Sequence, residues 1–195
     1  TILPKPESIS TTLRQVLTDR SSSVSGSAGS ALSLQEMGTL LGLALGKRPE
    51  KLNRNYPSGG ALYPVETYLI SIALETEPPA AYHYNPSTHS LERLLSIPHD
   101  FDLKSIAPHP ESLALSSLII FTSVWSRSSA KYGDLAYQHA LIEAGHMSEN
   151  ILLVATALGI NVRPYAGFQD NQIIELLDLD SDEEQPVHSV TLCKP

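Results

Sequence analysis

Cysteine, charge and long apolar runs are all scarce in this 195-residue chain, and each shortage removes a class of protein. The single cysteine, Cys193, cannot form an internal disulfide and has no neighbours at zinc-ligand spacing. The chain therefore reads as intracellular, most simply cytoplasmic, or at least redox-indifferent, with no metal, and Cys193 as a small apolar residue near a strand end. Charged residues make up only 17%, the formal net charge is −8, and no run of Lys and Arg forms a basic stripe, which argues against nucleic acid as a partner. The longest apolar stretch, Ile151 to Ile160, is about ten residues, against the roughly 20 that span a bilayer, and no charged-then-apolar signal opens the chain. A soluble protein with no membrane partner is expected. Thr1 stands where a start Met would, which suggests a processed, trimmed or excised chain.

A hydrophobic content of 42% is enough for one sizeable core, so residues 1–195 are expected to form a single domain, with 1–10 as an N-terminal extension or linker. Leu13, Val16 and Leu17 give a short amphipathic helix over 11–20. The Ser- and Gly-rich stretch Ser21 to Ser30 follows, able to bury little and expected to be mobile unless a ligand orders it. Ser33 and Glu36 have capping-box spacing, and Leu34, Met37, Leu40, Leu41 and Ala44 form one apolar face that Gly46 stops.

Val65 to Ala73 reads as a strand buried on both faces. Ala80–Tyr84 and Ser90–Leu95 flank Asn85-Pro86-Ser87-Thr88-His89 as a hairpin, and Ser117–Trp125 is another core strand. From Asp134 to Leu158 the apolar spacing is helical, with Gly159 as the stop and Glu143, Gly145, His146, Glu149 and Asn150 requiring polar partners on one side. Asn171–Leu177 reads as a short helix, Val187–Cys193 as a last strand, and the acidic run Asp178 to Glu184 as a solvated loop. Helices and strands mix without strict alternation, which favours α+β.

The segment with the most chemical content is Asn53-Arg54-Asn55-Tyr56-Pro57-Ser58-Gly59-Gly60-Ala61-Leu62-Tyr63-Pro64. Two adjacent glycines before a core strand allow a flat ligand to approach the main chain, Ser58 adds a hydroxyl and Arg54 a cation; an ordinary turn has the same composition. Arg20-Ser21-Ser22 pairs a guanidinium with hydroxyls, as phosphate sites do. Lys194 is either a phosphate contact or a terminal charge. Lys131-Tyr132-Gly133 falls in the loop between the core strand and the long helix and offers a proton donor–acceptor pair, although such pairs are common on surfaces. His146 is a proton carrier or a packing residue. Nucleotide phosphate loops, nucleophile elbows, His-Glu-x-x-His and dinucleotide fingerprints are absent.

In order and spacing these segments resemble the SagB-type dehydrogenase branch of the nitroreductase superfamily, flavoproteins that oxidise azolines to azoles. The resemblance rests on Arg20-Ser21-Ser22, Pro57-Ser58-Gly59-Gly60-Ala61-Leu62-Tyr63-Pro64-Val65-Glu66, Lys131-Tyr132-Gly133, Glu143-Ala144-Gly145-His146 with Asn150, and Ala166-Gly167-Phe168. It implies an α+β nitroreductase-like fold with a central, mostly antiparallel sheet, a long central helix, and a homodimer binding FMN at its interface. It further implies phosphate contacts from Arg20, Ser21, Ser22 and Lys194, with Arg54 in support, and a ring wall of Pro57, Ser58, Gly59 and Gly60. Main-chain groups of Ala166 and Gly167 would lie near the reactive ring nitrogen, and Lys131 and Tyr132 would act in catalysis. The substrate implied is a thiazoline or oxazoline in a peptide-like or carrier-bound molecule, with oxygen reoxidising the flavin, in a stand-alone enzyme or as part of a larger biosynthetic one. An NAD(P)H-dependent nitro- or quinone reductase and a flavin-less interaction module remain as alternatives on the same scaffold.

Overall fold

Six segments of the sequence assemble into one sheet in the order β3-β2-β1-β4-β6-β5. Its strands are β1 (Val65–Ser71), β2 (Ala80–Asn85), β3 (Ser90–Ser96), β4 (Ser117–Val124), β5 (Asn161–Tyr165) and β6 (Glu184–Cys193), and every neighbouring pair is antiparallel. The computed structural model describes residues 1–23, 31–48, 50–51, 53–108 and 115–194. Residues 24–30 of the Ser/Gly-rich stretch therefore lie outside the described residues.

β1 and β4 are central and buried on both faces, which explains why Tyr68-Leu69-Ile70 and Leu118-Ile119-Ile120-Phe121 run on without alternation. One face carries Leu69, Ile119 and Phe121, and the other Tyr68, Ile70, Leu118 and Ile120. The expected β2–β3 hairpin is present, its turn held by Asn85 Oδ1, which accepts from the Ser87 and Thr88 amides.

Two helices cover the first face. α2 (Leu34–Leu45) begins with the expected capping box, Ser33 Oγ accepting from the Glu36 amide while the Glu36 carboxylate accepts from the Ser33 amide at 2.8 Å. α4 (Leu135–Leu158) packs Ala140, Ala144, Met147 and Ile151 inward and ends at Gly159, whose φ of 70° a side chain would strain. The polar partner expected for α4 is found at Asn150, whose amide donates to the Ala44 and Asn55 carbonyls. The second face is covered by α5 (Asp170–Leu177) and a 3₁₀ turn at Leu103–Ser105, through Ile173, Leu177, Leu103 and Ile106.

In α1 (Leu13–Asp19) only Val16 is buried; Leu13 and Leu17, expected on the same inward face, are exposed. Residues 1–3 pair with the β3 region, the Leu3 amide donating to the His89 carbonyl and the Leu91 amide to the Thr1 carbonyl. The acidic side chains of the run are exposed up to Glu183, with Leu179 half-buried among them, but Glu184 enters β6 and accepts from the Tyr68 hydroxyl at 3.0 Å. Cys193 is buried, as expected. Among the described residues no helix is long and apolar enough to cross a membrane.

Candidate functional site

The turn entering β1 is unusually constrained. Gly60, Ala61 and Tyr63 all have positive φ (63°, 55° and 49°), and for the two non-glycine residues this costs roughly 1 kcal/mol each. Several bonds hold the strain. Ser58 Oγ accepts from the Tyr63 amide at 2.9 Å, and the Ala61 amide donates to the Ser58 carbonyl at 3.1 Å. Arg54 braces the turn from behind: its amide donates to the Tyr63 hydroxyl, its guanidinium donates to the Tyr56 hydroxyl at 2.7 Å, and it lies 4.7 Å over the Tyr63 ring. Burial pushes the Tyr56 phenol up, with Arg54 pulling against it, so Tyr56 stays neutral. Arg54 is thus committed to two tyrosines.

Lys131 and Tyr132 are not on a loop. They close a short helix, α3 (Ser126–Tyr132), and the correction has a physical cause: Arg127, one turn earlier, donates to the Tyr63 carbonyl and pairs with Glu66, tying α3 to the start of β1. Glu66 also binds His83 Nε2 at 2.8 Å. Burial would raise the Glu66 carboxyl, but His83 and Arg127 outweigh it and hold it below the usual range, while the same contact raises the His83 imidazole.

So anchored, α3 delivers both side chains to the glycines. A Cβ placed on Gly60 would lie 2.6 Å from Tyr132 Oη and 2.7 Å from Lys131 Nζ, so only a glycine allows the two heads to meet there. Lys131 Nζ also sits 5.2 Å from the centre of the Tyr132 ring.

Beneath this turn, Pro57, Ser58 and Gly59 form one wall of a recess of about 120 Å³ whose other wall is α4, with His139, Ile142, Glu143 and His146. The His139 ring meets the Tyr132 ring edge-on at 4.5 Å and lies 3.3 Å from where a Gly59 Cβ would be. Glu143 is only 2% exposed, and neither carboxylate oxygen completes a hydrogen bond. Burial pushes its pKa up to about 7, with the Ser58 hydroxyl, the Val65 amide and the charges of Arg54 and Arg127 pulling partly back. Sequence reasoning missed Arg127, His139 and the burial of Glu143; the spacing 139, 143, 146 on one helix face was the available signal.

The remaining candidates gather elsewhere, along β5. The Ser23 amide donates to the Val162 carbonyl at 2.9 Å, and Ser23 Oγ accepts from the Val162 amide, so residues 20–23 run beside the start of β5. Arg20 reaches Glu149 of α4 only loosely, at 4.0 Å, and Ser21 and Ser22 are exposed. Lys194, just past the Asn161–Cys193 pairing, is at the same end, its Nζ 3.1 Å from Glu36. Burial alone would raise the Glu36 carboxyl; Ser33 and Lys194 outweigh it and lower it. Ala166 and Gly167, both exposed, sit at the other end of β5, about 16 Å away at strand rise. A cation with hydroxyls at one end and exposed main chain at the other suits an elongated ligand with an anionic tail and a flat polar head, as FMN is.

The structure therefore brings the predicted residues together in two groups. Arg54, Pro57, Ser58, Gly59, Gly60, Lys131 and Tyr132 meet at the start of β1; Arg20, Ser21, Ser22, Ala166, Gly167 and Lys194 lie along β5, three strands across the sheet.

Comparison with known proteins identifies the family and the fold. The chain is 31% identical over 178 residues to MJ1384 of Methanocaldococcus jannaschii, a protein named as a nitroreductase, covering 91% of this chain and 88% of that one. It is 31% identical over 145 residues to the microcin B17-processing protein McbC of Escherichia coli, which agrees with the SagB-type branch; the match covers 71% of this chain but only 53% of McbC. Among solved structures, the E. coli microcin synthetase McbBCD complex with truncated pro-MccB17 bound superposes with a TM-score of 0.80 at 25% identity, covering 100% of this chain and 78% of that one. A structure from Exiguobacterium sibiricum holding FMN shares the fold, with a TM-score of 0.62 at 16% identity, covering 96% and 90%. Residues 27–193 match the Nitroreductase family, and on that match, together with the sheet, the long helix and the glycine turn described above, this chain belongs to the nitroreductase family of oxidoreductases.

Proposed function

We propose that this protein is an FMN-dependent dehydrogenase that converts a thiazoline or oxazoline ring, in a peptide-like or carrier-bound substrate, to the azole. The observation that carries this reading is the meeting of Lys131 Nζ and Tyr132 Oη over Gly60. Aromatising the ring removes one proton and one hydride from adjacent atoms. Lys131 and Tyr132 take the proton, the glycine allowing both polar heads to stand together at the turn where the ring would lie. FMN, when bound, supplies the two-electron acceptor, and molecular oxygen is the terminal oxidant. Arg20, Ser21, Ser22 and Lys194 hold the phosphate, Ala166 and Gly167 offer main-chain donors to the ring, and Pro57, Ser58, Gly59 and Gly60 wall it.

The two groups of residues complete one site if each comes from a different copy. A homodimer is supported by the apolar surface that α4 and α1 leave exposed, Leu135, Tyr137, Leu141 and Ile142 with Leu13 and Leu17. Residues 1–195 would act as one flavin-binding unit within a cytoplasmic biosynthetic assembly, a setting that the McbBCD likeness favours.

The test is direct. The purified yellow protein should oxidise a thiazoline peptide, and a Lys131→Ala, Tyr132→Phe double variant should lose at least about a hundredfold in kcat with its flavin retained. Equal turnover in both would remove the assigned roles. The fuller coverage of MJ1384 favours a second reading, an NAD(P)H-dependent nitro- or quinone reductase, which requires NAD(P)H to bleach the flavin rapidly.

A further inference from the structure

Glu143 is a buried carboxyl for which the proposed chemistry has no use. It lies on α4 with His139 a turn before and His146 a turn after, and its oxygens complete no hydrogen bond although the residue is 2% exposed. A polar group so placed carries a desolvation cost that an apolar residue would avoid. What faces it is specific. Ser58 lines the same recess as Glu143, and its hydroxyl, which accepts from the Tyr63 amide at 2.9 Å, keeps its O–H available to donate and favours the charged carboxylate. The Val65 amide, the first of β1, is a second group, this one from the backbone, that favours the charged form of the same carboxylate. Ser58 opens the glycine turn and Val65 closes it, so one carboxylate faces both ends of the strained loop that carries Gly60.

We propose that Glu143 is a positioning residue: as a carboxylate it clamps the Ser58 and Val65 ends of the turn against α4, and loss of its charge releases the turn and misaligns Gly60 with Lys131 and Tyr132. The inference deepens the proposed oxidase site and rests on that reading for its catalytic consequence. Release is transmitted through packing. His139 touches Gly59 on one side and the Tyr132 ring on the other, so a shift of the turn moves the phenol. The charged and titratable groups facing the carboxyl are Arg54 behind the turn, Arg127 from α3, Tyr56, and His139 and His146 on α4. The two arginines favour the carboxylate and burial disfavours it, leaving Glu143 near 7, where both forms are populated.

The experiment is an amide NMR titration of the purified full chain from pH 5 to 9, followed by kcat against pH for a thiazoline substrate. The Gly59 and Gly60 amides should shift with one inflection near pH 7 that is absent in Glu143→Gln, and wild-type kcat should rise about tenfold through the same inflection while Glu143→Gln stays low and flat. Should the variant fold poorly, the wild-type amide titration alone decides. Glycine amides that ignore pH between 5 and 9, or that retain the inflection in Glu143→Gln, overturn the proposal. The amide readout needs neither flavin nor substrate. Its failure leaves the oxidase reading standing, and a protein that takes up no FMN yet shows coupled amides overturns the oxidase reading alone.

Discussion

Replacing Glu143 by Gln should change how stability depends on pH, and the size of the change follows from the burial of one carboxyl. Its folded pKa is raised from 4.5 to about 7 by desolvation, so the native state binds this proton more tightly than the unfolded chain does. At about 1.4 kcal/mol per unit, that difference is about 3 kcal/mol. The contribution is fully present below pH 4.5, is lost as pH rises toward 7, and is absent above. The amide of the variant has no such proton to lose. In urea denaturation at a series of pH values, the stability of Glu143→Gln relative to wild type should therefore climb by about 3 kcal/mol between pH 4.5 and 8, equivalent to roughly 6–12 °C in thermal midpoint for a chain of this size. Taking the difference between the two proteins removes the other titrations. Glu36, Glu66 and Glu92, held low, stabilise above their unfolded values and lose that stabilisation in acid, and His83, held high, loses its own as pH rises. A difference curve that is flat across this window would refute the claim that burial of Glu143 outweighs the groups that favour its charge.

Two further substitutions probe the two residue groups separately. Gly60→Ala should fold with a loss of about 1–2 kcal/mol from its positive φ, measured by thermal melting, but lose at least about tenfold in turnover because its Cβ would stand 2.6 Å from Tyr132 Oη; full activity would mean that the two heads need not meet there. Lys194→Ala breaks the partly exposed pair with Glu36 and should change stability by less than about 1 kcal/mol, yet weaken FMN binding about tenfold by fluorescence titration; unchanged affinity would return Lys194 to a purely structural pair.

Which parts of this molecule could be read from its sequence depended on whether a local pattern was decided locally. Ser33 and Glu36 satisfy each other within one turn, so α2 was legible, and so were β1 and β4, whose burial on both faces favours mostly apolar segments over alternation. α3 was not: Ser-Arg-Ser-Ser-Ala-Lys-Tyr has no apolar periodicity, and its helix is held by Arg127 reaching Tyr63 and Glu66 more than sixty positions away in the chain. β5 was missed because Asn-Val-Arg-Pro-Tyr contains a proline, which an edge strand tolerates and a central one does not. Glu143 read as one polar interruption among several on α4, and only packing distinguishes it, buried, from exposed Glu149.

The candidate site shows the same limit at larger scale. The sequence shows the motifs only as an order along the chain, whereas the fold sets the two groups at β1 and β5, three strand spacings apart in the sheet, about 14 Å. For the proposed reaction neither group suffices alone. The first has the proton-handling heads, but its arginine, Arg54, is committed to Tyr56 and Tyr63; the second has Arg20 and exposed main chain, but no counterpart of the Lys131-Tyr132 pair. Under the proposed function, then, catalysis requires association. Mixing a Lys131→Ala, Tyr132→Phe chain with an Arg20→Ala chain, each inactive by itself, should restore up to about a quarter of wild-type activity, because half of the dimers formed are mixed and one of their two sites is intact. Absence of complementation, with mixed dimers demonstrated, would refute a site shared between copies.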